Sequence, residues 1–182
     1  MQQVADKTGV AVQTVYLNFR TKAGLLSEVG DTVILGERPS AAWRDEPWAR
    51  ELLGETDPRR VVERFVEAAV AITRRLVPFV RAVGADLPND PVSAASRDRG
   101  RDDFFGAALS RLASLNALRP GLSVTHALDI VRAVNTLEAY VDLTGRRGWS
   151  DADWSAWLTE LLSQQLLGDE PSVFRADQPG SK

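Results

Sequence analysis

The stretch Val4-Ala5-Asp6-Lys7-Thr8-Gly9-Val10-Ala11-Val12-Gln13-Thr14-Val15-Tyr16-Leu17-Asn18-Phe19-Arg20-Thr21-Lys22 decides how the rest of the chain is read. Its apolar residues recur at helical spacing in two short segments, Gln2 to Thr8 and Val12 to Phe19, with Gly9 placed to close the first in the left-handed conformation. A helix-turn-helix asks for a small residue where the helices cross, a glycine in the turn, apolar residues between the helices and polar groups outside. Ala5, Gly9, the trio Val4, Val10 and Val15, and then Gln13, Thr14, Tyr16 and Asn18 meet those demands in order. Val15 and Phe19 belong to the core side. On this pattern alone an ordinary helical hairpin remains the competing reading.

Continued to Leu26, the segment Thr8-Gly9-Val10-Ala11-Val12-Gln13-Thr14-Val15-Tyr16-Leu17-Asn18-Phe19-Arg20-Thr21-Lys22-Ala23-Gly24-Leu25-Leu26 resembles the signature of the TetR (tetracycline-repressor-like) family of transcriptional regulators. That signature runs from a Gly-Val turn through Thr-Val-Tyr and Phe to Lys and a Leu-Leu pair. The resemblance is sharp as far as Leu26 and loose at Gly148-Trp149-Ser150, which lies between two apolar helices. It implies that Thr14 and Tyr16 offer hydroxyls to DNA phosphates, and that Lys22, at the start of a third helix, is a further phosphate clamp. Val12, Gln13, Leu17 and Asn18 are then the candidates to reach base edges. A glutamine can pair bidentately with adenine, and apolar residues can touch thymine methyl groups. Two departures stand out. Ala11 occupies the position where the family has a capping serine or threonine, a loss worth about 1 kcal/mol. The family also has a full helix before the position of Gln2, so the head is expected to be incomplete as written, its true start lying upstream of Met1.

Outward from the head the pattern stays helical. Lys22 to Leu35 forms a third segment with Thr21 as its cap, and periodicity lapses from Gly36 to Asp57, although Trp43, Trp48, Leu52 and Leu53 must pack on something. Asp57-Pro58 starts a helix, with a cap followed by proline at the first helical position. Its stripe is Val61, Phe65, Ala68, Ile72, Leu76 and Phe79, and Pro78 is expected to end or kink it. Asp86 to Arg101 reads as a loop, and Phe105, Ala108, Leu112 and Leu115 as the next helix, which stops before Pro120-Gly121. From a Ser123 cap, Ala127, Ile130, Val134, Leu137 and Val141 make a heptad-like seam in one helix closed by Gly145. Ser150 caps the last, whose apolar side is Trp154, Trp157, Leu158, Leu161 and Leu162, with Gly168 as terminator. The expected architecture is all-α. A helix-turn-helix region at 1–36, its first helix missing, sits on a ligand-binding and dimerisation domain at 37–170, with a flexible tail at 171–182.

Bulk properties narrow the function classes. The chain has 182 residues, 44% hydrophobic and 26% charged, enough for a real core under a soluble surface. With no cysteine, disulfide frameworks and cysteine-based zinc sites are excluded. The sequence has neither a secretory leader nor an apolar run of about 20 residues, so a cytoplasmic protein without a membrane partner is expected. The net charge of −3 argues against nucleic-acid binding over the whole surface but not against a small basic edge. His126, the single histidine, has no ligating residue at metal spacing, and no Glu-x-x-His pair, nucleophile elbow or phosphate loop is present. No metal, cofactor or catalytic residue is therefore expected, and a helical-bundle enzyme is the poorest reading. By resemblance, the helices from Pro58 to Leu115 surround a pocket for a small lipophilic effector, with Trp48, Phe65, Phe79, Phe104 and Phe105 as candidate lining. The last two helices pair with those of a second subunit, giving a homodimer that holds a double-stranded DNA operator until effector binds. The alternative is a ligand-binding dimer without functional heads.

Overall fold

The computed structural model describes residues 1–35, 43–83 and 91–168. Among them the regular elements are helical: α1 (Gln2–Thr8), α2 (Val12–Phe19), α3 (Lys22–Leu35), a 3₁₀ turn at Trp43–Asp45, α4 (Pro47–Gly54), α5 (Pro58–Val83), α6 (Pro91–Ser114), α7 (Val124–Val134), α8 (Leu137–Arg146) and α9 (Asp151–Leu166). The expected tail at 171–182 lies outside the described residues.

In the head, Gly9 takes φ 72° and its N–H bonds the Ala5 carbonyl, which closes α1. Ala5 and Val15 are buried where α1 meets α2. Ala11 holds the extended geometry of a cap but gives α2 no side-chain acceptor. Thr21 does cap α3, its hydroxyl accepting the Gly24 N–H at 3.0 Å. Gly24 also lets α3 pass close to α2, since a Cβ there would collide with the Phe19 carbonyl.

The body is built round α5, which packs against α3, α4, α6, α8 and α9. Asp57 opens it by accepting the Arg59 N–H at 2.8 Å. Val61, Val62, Phe65, Val66, Ala69 and Val70 are buried in its first half. Pro78, expected to end or kink this helix, does not end it: α5 runs on through it to Val83. A proline removes one backbone bond and crowds the preceding turn. Beyond it the Phe79 ring lies against Gly30 of α3, a packing contact that holds the last turns in place.

Three other expectations are corrected. Within the stretch where periodicity lapses lies α4, with Pro47 at its start and Ala49 and Leu52 fully buried. The segment expected to be a loop to Arg101 is helical from Pro91 onward. Arg101 pairs with Asp98 there, and directly after it Asp102 pairs with Arg132 of α7 at 2.7 Å. The seam from Ala127 to Val141 is divided between α7 and α8, because the Thr136 hydroxyl accepts the Ala139 N–H at 3.1 Å and starts a new helix. Gly145 consequently lies inside α8.

In α9 the Ser150 hydroxyl and the Asp153 carboxylate form a reciprocal capping box. Trp154, Leu158, Leu162 and Leu166, four residues apart, bury one stripe into the body. Trp157 remains exposed. The end of α9 is fastened to the α6–α7 connection, the Arg119 N–H donating to the Leu166 carbonyl and the Gly168 N–H to that of Ala117. No helix among the described residues is long and apolar enough to cross a membrane.

Candidate nucleic-acid interface

Successive residues of an α-helix lie about 100° apart, which sorts the side chains of α2 by direction. Val15 is buried, and Val12 and Phe19 beside it are half-buried, so this side faces the head's interior. Gln13 and Leu17 lie about 160–200° away from Val15 and form an outward crest, one turn apart. Both are exposed, Leu17 to 80%. Thr14 and Tyr16 flank the crest on opposite sides, each about 100° from Val15. Tyr16 is 51% exposed.

The seven candidate residues therefore divide. Gln13, Thr14, Tyr16 and Leu17 share the outer surface of one helix, and Lys22 is exposed at the start of the next. Asn18 is exposed as well, but its amide donates to the Thr14 carbonyl at 3.0 Å, so its nitrogen is already engaged within the helix. Val12 is turned towards the interior and offers the least surface.

Sequence reasoning passed over two residues. Lys7, on the last turn of α1, and Arg20, directly after α2, are both exposed. The signal for them is one of charge: from Lys7 to Ser27 the chain holds Lys7, Arg20 and Lys22 and no aspartate or glutamate, in a protein of net charge −3. Arg20 falls outside the helical pattern, at φ 54°. That conformation is uncommon for a residue with a Cβ and reverses the chain between α2 and α3.

The five candidate pocket residues separate too. Trp48, Phe65, Phe104 and Phe105 come together, with Trp43 as a fifth ring and centroids 5.2–5.8 Å apart. The Trp43 indole N–H donates to Asp103 at 2.7 Å, and the Arg44 guanidinium grips both oxygens of that carboxylate while lying over the Trp43 ring. Arg44 in turn holds the Asp103 carboxyl below the usual carboxylate range. Phe79 lies apart from them, against α3.

Beside Phe65 and Phe105 the body encloses a void of about 10 Å³. That is room for about one water, whereas small-molecule sites run to roughly 300–1,000 Å³. The four rings pack as core in this conformation. A larger hollow of about 290 Å³ is an open groove between α5 and α9, lined by Glu63, Glu67 and Glu160 among others. It has no aromatic lining and is unlike the expected lipophilic pocket.

His126 is exposed near the start of α7, its backbone N–H bonded to Ser123. Among the described residues no cluster of three histidine, cysteine or carboxylate side chains is placed to hold a metal ion. Comparison with family models, with curated proteins and with solved structures returns no match for this chain.

Proposed function

We propose that the chain is a DNA-binding transcriptional regulator of the tetracycline-repressor type, with α2 as the helix that enters the major groove. One observation carries the reading: an exposed Gln13–Leu17 crest is bordered on opposite sides by the hydroxyl residues Thr14 and Tyr16, within a segment free of acidic residues. A helix in the major groove has a phosphate strand along each edge and base edges beneath it, so this order of side chains suits both. Lys22 adds a cation at the strand bordering α3. Operator binding is relieved when a small lipophilic effector stabilises a body conformation that separates two heads differently. Two copies meet through α7, α8 and α9, the elements that the two expected C-terminal helices form, where Trp157 is left exposed.

The test is a gel-shift titration against duplex DNA, including the region upstream of the chain's own gene. Tyr16→Phe and Lys22→Ala should weaken binding on every sequence alike, Lys22→Ala lowering the salt slope by about 1, while Gln13→Ala should change which sequence is preferred. Binding that none of these changes affects would remove the assignment. It would leave the second reading, a ligand-binding dimer without functional heads.

A further inference from the structure

We infer that Trp43 and Asp103 form a site for planar organic cations, aryl amidines or aryl guanidines, which Arg44 of the same chain fills as an internal copy of the ligand's head group. This names the chemical class of the effector, and its regulatory meaning rests on the reading above. The Arg44 guanidinium lies over the Trp43 ring, 4.5 Å from its centre, and donates to the two oxygens of Asp103 at 2.6 and 2.7 Å. An aromatic face and a carboxylate that accepts two parallel N–H groups are the elements that recognise a flat, delocalised cation. Both are already assembled here round such a cation.

Asp103 is aimed independently of Arg44, because the Trp43 indole N–H also donates to it, at 2.7 Å. The carboxylate therefore keeps its orientation when the guanidinium leaves, and an incoming cation meets a partly prepared acceptor. Arg44 itself is weakly held. Its side chain is 46% exposed and that of Asp103 47%, and ion pairs so open to water contribute little. Beside the pair, Trp43 stacks on Trp48, and both meet Phe104 edge-on. The two indoles are half-buried, so apolar surface is left next to the charge. An aryl amidine brings the same fork of donors as Arg44 and adds a rigid ring to cover that surface. A neutral ring has nothing to offer Asp103 in exchange for the guanidinium. Because one cation replaces another, the site needs no preformed cavity, in keeping with the filled aromatic cluster.

The probe is benzamidine, titrated into the full chain and followed through the indole N–H signals of isotope-labelled protein, that of Trp43 being identified by its loss in Trp43→Phe. Benzamide is the uncharged control of the same shape. Benzamidine should shift the Trp43 signal in a saturable way, and benzamide should not. Arg44→Ala removes the internal competitor and should tighten benzamidine roughly three- to ten-fold. Arg44→Gln, which keeps the stem and loses the charge, should tighten it as well. Adding Asp103→Asn to either variant should cancel the gain. Equal binding of benzamide, or an affinity for benzamidine that both Arg44 variants leave unchanged or weaken, overturns the inference. The gel-shift titration separates this result from the wider reading. Duplex released by benzamidine, at lower concentration for Arg44→Ala, supports the effector role, and duplex retained at saturating benzamidine overturns that role. No duplex binding by the parent removes the regulator while the cation site stands.

Discussion

Ala11 stands at the start of α2 in the extended conformation of a helix cap, but its methyl group cannot accept a backbone N–H. The first N–H groups of a helix have no partner within it, and a serine or threonine oxygen at this position satisfies one of them. Because the backbone geometry is already that of a cap, Ala11→Ser should stabilise the head by about 1 kcal/mol. Chemical denaturation followed by fluorescence would show no gain if the head unfolds independently of the tryptophans. Amide exchange in α2 reads the effect directly. Gly24 makes the opposite demand, since the Phe19 carbonyl leaves no space for a side chain. Both positions were visible as letters, one as a departure from a pattern and the other as part of it. The close approach that requires Gly24 is a property of three dimensions and has no trace in spacing.

At the scale of elements, the junction of α4 and α5 is held by Glu55. Its carboxylate accepts the backbone N–H groups of Thr56 and Asp57 and also meets Arg64 at 3.1 Å. The two backbone bonds first, and Arg64 after them, lower its pKa to about 2. An unfolded glutamate titrates near about 4.3, so the folded state binds the proton less tightly. The stability this contributes is present above that value and is lost as pH falls from about 4 towards 2. Glu55→Gln should therefore lower the melting temperature at pH 7, and the gap to the parent should close through that acid window. A gap unchanged between pH 6 and pH 2.5 would place the effect elsewhere.

The same scale shows where the sequence was legible. The bounds of α1, α2 and α3 and the Asp57 and Ser150 caps were readable, because capping residues and apolar periodicity act locally; of the expected α9 stripe, Trp154, Leu158 and Leu162 are buried, while Trp157 is exposed, Leu161 half-buried and Leu166 was missed. The first part of α6 was not, since its composition resembles a loop, and the pairs that Arg132 of α7 makes with Asp98 and Asp102 leave no mark in the local sequence. Nor was the break before α8: a heptad-like seam continues across Asn135-Thr136, while the Thr136 hydroxyl divides the backbone beneath it. The candidate site shows the same split. Pattern named the residues of α2, and only their burial separated the crest of Gln13 and Leu17 from the inward Val12 and the engaged Asn18.

For the molecule as a whole, the head is attached to the body through α3 against α5, with the Phe79–Gly30 contact beyond Pro78. Phe79→Ala should loosen this attachment by about 1–3 kcal/mol, less than the loss of a fully buried ring, because Phe79 is half-buried. Hydrogen exchange should then quicken in α1 to α3 and stay unchanged in α9. Equal acceleration in both would mean that the two parts unfold as one.

The acid-free run from Lys7 to Ser27 has an electrical consequence as well. Its three cations stand in a chain of net charge −3, so the remainder carries −6, and Asp6 and Glu28 lie directly at the two ends of the run. The positive charge is therefore local: it can attract a polyanion where the run itself meets it, while the acidic flanks offset it at a distance. Added salt shortens that reach further.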